Sequence, residues 1–125
     1  MKCQCLLLRP AVYPGVSDPV YYALAQDDGT LTAFHTEAEL IAACEGIDVE
    51  DGVYRFFDAA GRPLLPHFTS PNQRGRLFVT SGTYILLAAR TDQPHLASLL
   101  GTVTGVEGCG LGSVEDVEAQ LRQPT

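Results

Sequence analysis

The sequence predicts an α+β protein: an antiparallel or mixed sheet of about five to seven strands, built from hairpins and covered by two to three short helices. Three observations predict it. Short apolar or alternating runs recur between glycine-containing turn signals through residues 20–90, as successive hairpins require. Only one clear strand–helix–strand unit interrupts them, too few for a doubly wound parallel sheet. Past Thr91 the apolar spacing changes to that of a helix.

Taken in order, Cys3 to Leu8 is an apolar run that reads as a buried strand, and Arg9 to Pro19 carries three prolines and a glycine and reads as a loop. Val20 to Ala25 and Leu31 to Phe34 form a hairpin, because Asp28-Gly29 between them supplies the positive φ of a tight turn. Thr36 followed by Glu39 is a capping-box pattern. Leu40, Ile41, Cys44 and Ile47 then follow at helical spacing, with Gly46 as the expected C-terminal stop. Val53 to Phe57 and Arg62 to Phe68 make a second hairpin around Asp58–Gly61, and Pro63 and Pro66 predict an edge or irregularly paired return strand. Arg76 to Thr80 and Tyr84 to Arg90 predict a third hairpin, turned by Ser81-Gly82. Asp92 caps a predicted helix with Pro94 in its first turn and Leu96, Leu99, Leu100 and Val103 as its apolar stripe. A glycine-rich link leads to a last helix from Ser113, with Val114, Val117 and Leu121 on one side.

The 125 residues are read as one domain, residues 1–125, large enough to bury a core without cross-links. Apolar residues make up 46% and charged residues 18%, an ordinary globular balance. No export signal or spanning segment is evident, so the expected address is cytoplasmic and Cys3, Cys5, Cys44 and Cys109 are expected as thiols. The net charge of −7 argues against nucleic acid or anionic membrane as partner, since both require a basic footprint. Residues 52–91 depart from that balance: five arginines against Asp58 give +4, which leaves −11 for the rest. Two electrically opposed faces are the expectation.

No residue pattern carries a recognisable catalysis. Cys3 and Cys5 share a strand face, yet the other two cysteines are isolated and no zinc spacing results. Cys109, between Gly108 and Gly110, has little to pack against and is the candidate reactive thiol, although no base neighbours it in sequence. The Gly105–Ser113 run lacks a Lys-Ser/Thr ending, and Glu115 and Asp116 would repel phosphate. Asp58, His67 and Ser70 name a hydrolytic trio only on paper, since no nucleophile-elbow glycines surround Ser70. The acids Glu45, Asp48, Glu50 and Asp51 miss the calcium-loop spacing and read as a solvated face.

The preferred binding segment is the polar stretch Pro66–Arg76, read as a long loop in the basic section. His67, Phe68, Asn72, Arg74 and Arg76 are its candidate contacts, because arginine forks with nearby aromatics suit recognition of carboxylates or phosphates. Tyr13, among the prolines of residues 11–19, is a second candidate anchor. Together these features predict a non-enzymatic interaction module binding another protein. No cofactor or metal is implied. The alternative is a small-molecule-binding domain or small enzyme with a pocket between sheet and helices.

Overall fold

The first hairpin forms where the turn chemistry puts it. In the computed structural model, which describes residues 20–89 and 93–122, β1 (Tyr21–Ala25) pairs antiparallel with β2 (Thr30–Phe34). Gly29 adopts the positive φ of 79° that the turn demands. The predicted strand at residues 3–8 and loop at 9–19 lie outside the described residues.

Thr36 caps α1 (Glu37–Ala43) by accepting from the Glu39 amide, while the Glu39 carboxylate accepts from the His35 amide at 3.3 Å. The reciprocal partner is thus one residue further out than in the usual capping box. The expected stop at Gly46 is corrected: the chain leaves α1 at Cys44, and Gly46 opens α2 (Gly46–Glu50). A side chain at 46 would strike the Asn72 amide oxygen, so close packing explains that glycine better than a helix end does.

β3 (Tyr54–Phe57) and β4 (Pro63–Ser70) form the second hairpin, and β7 (Thr83–Ala88) pairs antiparallel with the far side of β4. The six-stranded sheet runs β7-β4-β3-β1-β2-β8, where β8 (Gly105–Glu107) lies parallel to β2 and makes the sheet mixed. β4 is internal to the sheet, so of the two expectations for Pro63 and Pro66 it is the irregular pairing, not the edge position, that the structure shows. The Pro63 carbonyl accepts from the Ala89 amide. Alternation therefore turns Pro66 the other way, toward β3. There the recorded pairing stops at Phe56–Leu64, because proline has no N–H to extend the ladder.

The third predicted hairpin is also corrected. Val79 and Thr80 pair with Gln73 and Arg74, giving a separate two-stranded ribbon of β5 (Gln73–Arg74) and β6 (Val79–Thr80). Tyr84 and its neighbours return to β4 instead. Gly82 sits so close to the Ser70 carbonyl that a side chain would clash with backbone, so Ser81-Gly82 is a corner between two ribbons.

Both faces of the sheet carry helices. On one, Tyr22, Leu24, Leu31 and Phe57 pack with Leu96, Leu100 and Val117. On the other, Ala23, Phe56, Tyr84 and Leu86 pack with Leu40, Cys44 and Val49. The helix expected from Asp92 is short, comprising α3 (Leu96–Leu99) followed by a 3-10 turn at Leu100–Thr102; Asp92 is outside the described residues, and the cap is His95, whose Nδ1 accepts from the Ala97 amide. Ser113 caps α4 (Val114–Leu121), and Asp116 accepts in return from the Gly112 amide at 2.9 Å. No helix among the described residues is long and apolar enough to cross a membrane.

Candidate functional site

The stretch Pro66–Arg76, expected as one loop, is divided by the fold. Residues 66–70 belong to β4, and a pairing irregularity between Phe68 and Ser70 releases the chain into the β5–β6 hairpin. The candidate contacts accordingly separate. His67 is exposed on the sheet face shared with Phe57, where it pairs with Ile85. Phe68 turns to the opposite face and stacks on Tyr84, centroids 5.4 Å apart. Tyr13 lies outside the described residues.

Asn72 is a structural tie. Its Nδ2 donates to the Gly46 carbonyl (3.1 Å) and to Glu50 Oε1 (2.9 Å), and its Oδ1 accepts from the Gly82 amide (2.7 Å). One side chain thereby joins α2 to both ends of the β5–β6 connection. Arg74 adds contacts from the same ribbon to Asp51 (3.0 Å) and Glu50 (3.4 Å). The Asn72 amide, then Arg74, holds the Glu50 carboxyl below its usual range against a smaller opposing effect of desolvation. Each ion pair is about half exposed, so its direct contribution to stability is small. Its geometric consequence is larger. The basic section and the acids after α1 meet here, so the two expected charge faces are joined at this point.

Beyond the tie, the hairpin tip is Gly75-Arg76-Leu77-Phe78, closed by the Gly75 amide on the Phe78 carbonyl at 2.8 Å. Leu77 is 87% exposed, Phe78 78% and Val79 60%. Arg76 beside them is exposed and makes no ion pair among the described residues. Sequence reasoning reached Arg74, Arg76 and, as a nearby aromatic, Phe78, but missed Leu77 as a contact, since the unbroken apolar run Leu77-Phe78-Val79 reads as part of a packed strand. Their exposure becomes visible only in the tertiary structure, where no described element covers them.

Cys109 has φ 54°, between Gly108 at 94° and Gly110 at 75°. The three left-handed residues form the turn that leaves β8, and a side chain at Gly108 would strike the Ala33 carbonyl. Cys109 packs on the edge of the core near Tyr22. Cys44 is buried, and burial pushes its thiol up to about 11. Cys3 and Cys5 are outside the described residues, among which no cluster of metal-binding side chains occurs. Asp58 is engaged by Arg62 and by the Ala60 and Arg62 amides, and Ser70 by Thr83, so both side chains are held by partners other than His67.

A second feature lies where β3 and β4 part below Pro66: a shallow groove of about 210 Å³ touching Gln26, Arg55, Pro63, Leu65, Pro66 and Gln93. Comparison with protein-family models, curated proteins and solved structures gives no match to the chain.

Proposed function

We propose that the protein is a non-enzymatic interaction module, of an accessory or inhibitor kind, that binds another protein in the cytoplasm through the tip of the β5–β6 hairpin. The observation that carries this reading is the run Leu77, Phe78 and Val79, each at least 60% exposed on a hairpin that Asn72 and Arg74 hold against α2. Exposed adjacent apolar side chains on a soluble surface favour association. A tip already held in place loses little further freedom on binding. Arg76 supplies the charged contact at the rim of that surface and favours a partner with carboxylates around an apolar pocket. The total charge of −7 makes nucleic acid a poor alternative, because backbone phosphates would be repelled.

The test is affinity capture from native lysate with the wild-type chain and the Leu77→Ser/Phe78→Ser double variant, at low and high salt. A stoichiometric protein partner is expected with the wild type, weakened by salt through Arg76. Losing two central apolar contacts is expected to lower affinity by about 100-fold or more. No partner with wild type, or one retained equally by the double variant, would refute the reading.

A further inference from the structure

Arg55 is the one described arginine that is partly buried yet has no carboxylate partner among the described residues. In a chain with fifteen acidic residues, that isolation needs a reason. The guanidinium is held from behind by neutral groups: Nε donates to Gln26 Oε1 at 3.0 Å, and Gln26 Nε2 donates to the Gly52 carbonyl at 2.8 Å. These bonds fix the position of Arg55, whose Nη groups meet no carboxylate among the described residues.

Arg55 lies opposite Leu24 in the β1–β3 ladder, on the sheet face that carries Phe57, Leu65 and Leu87. The C-terminal helices cover Phe57 and Leu24, but Leu65 is 45% and Leu87 49% exposed. The groove beside Arg55 has apolar walls from Pro63, Leu65 and Pro66 and polar lips at Gln26 and Gln93. Its cause is chemical: Pro66 offers no N–H to Tyr54 across the gap, so the strands separate. At about 210 Å³ the space is smaller than a pocket for a drug-sized molecule.

We propose that this groove binds a small organic monocarboxylate, with its carboxylate on the Arg55 Nη groups and its apolar body against Leu65 and the two prolines. One planar donor fork matches one carboxylate. A dianionic phosphate is disfavoured, because Arg55 is the one cation among the described residues that line the groove. The site is separate from the hairpin tip, and neither reading depends on the other.

The probes are phenylacetate and hexanoate, with phenylacetamide and hexanamide as neutral counterparts, titrated into the isotope-labelled protein. Saturable NMR shifts are expected at the Arg55 side chain, the Gln26 amide and Leu65, with Kd of order 1 mM for ligands this small. Binding of the amides is expected to be weaker by about tenfold or more. Arg55→Met should abolish the acid-specific shifts while leaving the rest of the spectrum unchanged. Equal binding of acids and amides, shifts located elsewhere, no saturation up to about 20 mM, or acid binding that survives in Arg55→Met would each overturn the proposal. The acid–amide comparison uses the wild-type chain and decides the matter even if the variant does not fold.

Discussion

Replacing Asn72 by alanine removes the tie between α2 and the β5–β6 connection. Two of its three hydrogen bonds, to the Gly46 carbonyl and from the Gly82 amide, are partly buried; the third, to Glu50, is exposed. Counting about 1–1.5 kcal/mol for each partly buried bond and about 0.5 for the exposed one gives a loss of about 3 kcal/mol. For a domain of this size that corresponds to a drop in Tm of about 10 °C. In urea the midpoint should fall by roughly 1.5 M with an unchanged slope. Asn72→Asp sharpens the test. It keeps the acceptor for Gly82 but points a carboxylate at the Gly46 carbonyl and the Glu50 carboxylate. At neutral pH it should cost at least as much as alanine. Repulsion raises the pKa of the new carboxyl in the folded state, so protonation favours folding and the deficit should shrink as pH falls through the carboxylate range. A shift below about 0.5 kcal/mol in both variants would show that Asn72 does not anchor the hairpin, and with it the argument for a held tip would fall.

Three further predictions concern buried tyrosines. The Tyr22 hydroxyl is buried with no hydrogen-bond partner among the described residues, so Tyr22→Phe should raise stability by about 1–2 kcal/mol; a loss of that size in urea unfolding would mean that the hydroxyl is bonded. Tyr84 is the contrasting case: its hydroxyl donates to the buried Cys44 carbonyl at 2.6 Å, and Tyr84→Phe should cost about 1–3 kcal/mol by leaving that acceptor unpaired. Burial pushes the ionisation of both groups up, reinforced at Tyr22 by Cys109 and at Tyr84 by Cys44. A raised folded-state pKa contributes stability that is complete below the unfolded value of about 10 and is lost as pH rises beyond it. Unfolding free energy should therefore decline above pH 10, less steeply in either phenylalanine variant; a slope identical to wild type in both would exclude these tyrosines as the cause.

Much of the architecture was legible because its causes are local. Asp28-Gly29 and Asp58–Gly61 specify tight turns, and both hairpins around them form as read. Thr36 and Ser113 carry their own cap bonds, and both begin helices. Where local signals competed with packing, the reading failed. Gly46 resembles a helix stop, but its missing side chain makes room for Asn72, twenty-six residues away. Ser81-Gly82 resembles a hairpin turn, but the strand it was expected to join found a better partner in Gln73–Arg74. β8 was hidden in a glycine-rich link because a three-residue parallel strand has almost no periodicity to show.

The same division applies to function. The sequence by itself determined the charge balance, the turn chemistry and the arginines of the basic section, all properties of residues and their near neighbours. Tertiary structure alone decided that Arg74 is engaged by Glu50 and Asp51 while Arg76 and Arg55 have no carboxylate partner among the described residues. It also decided that Leu77 and Phe78 face water although their spacing suits a buried strand. Exposure and ion pairing depend on which distant segments arrive alongside a residue. That is settled by the competition among strand pairings and by packing on the two faces of the sheet, which a local sequence pattern does not encode.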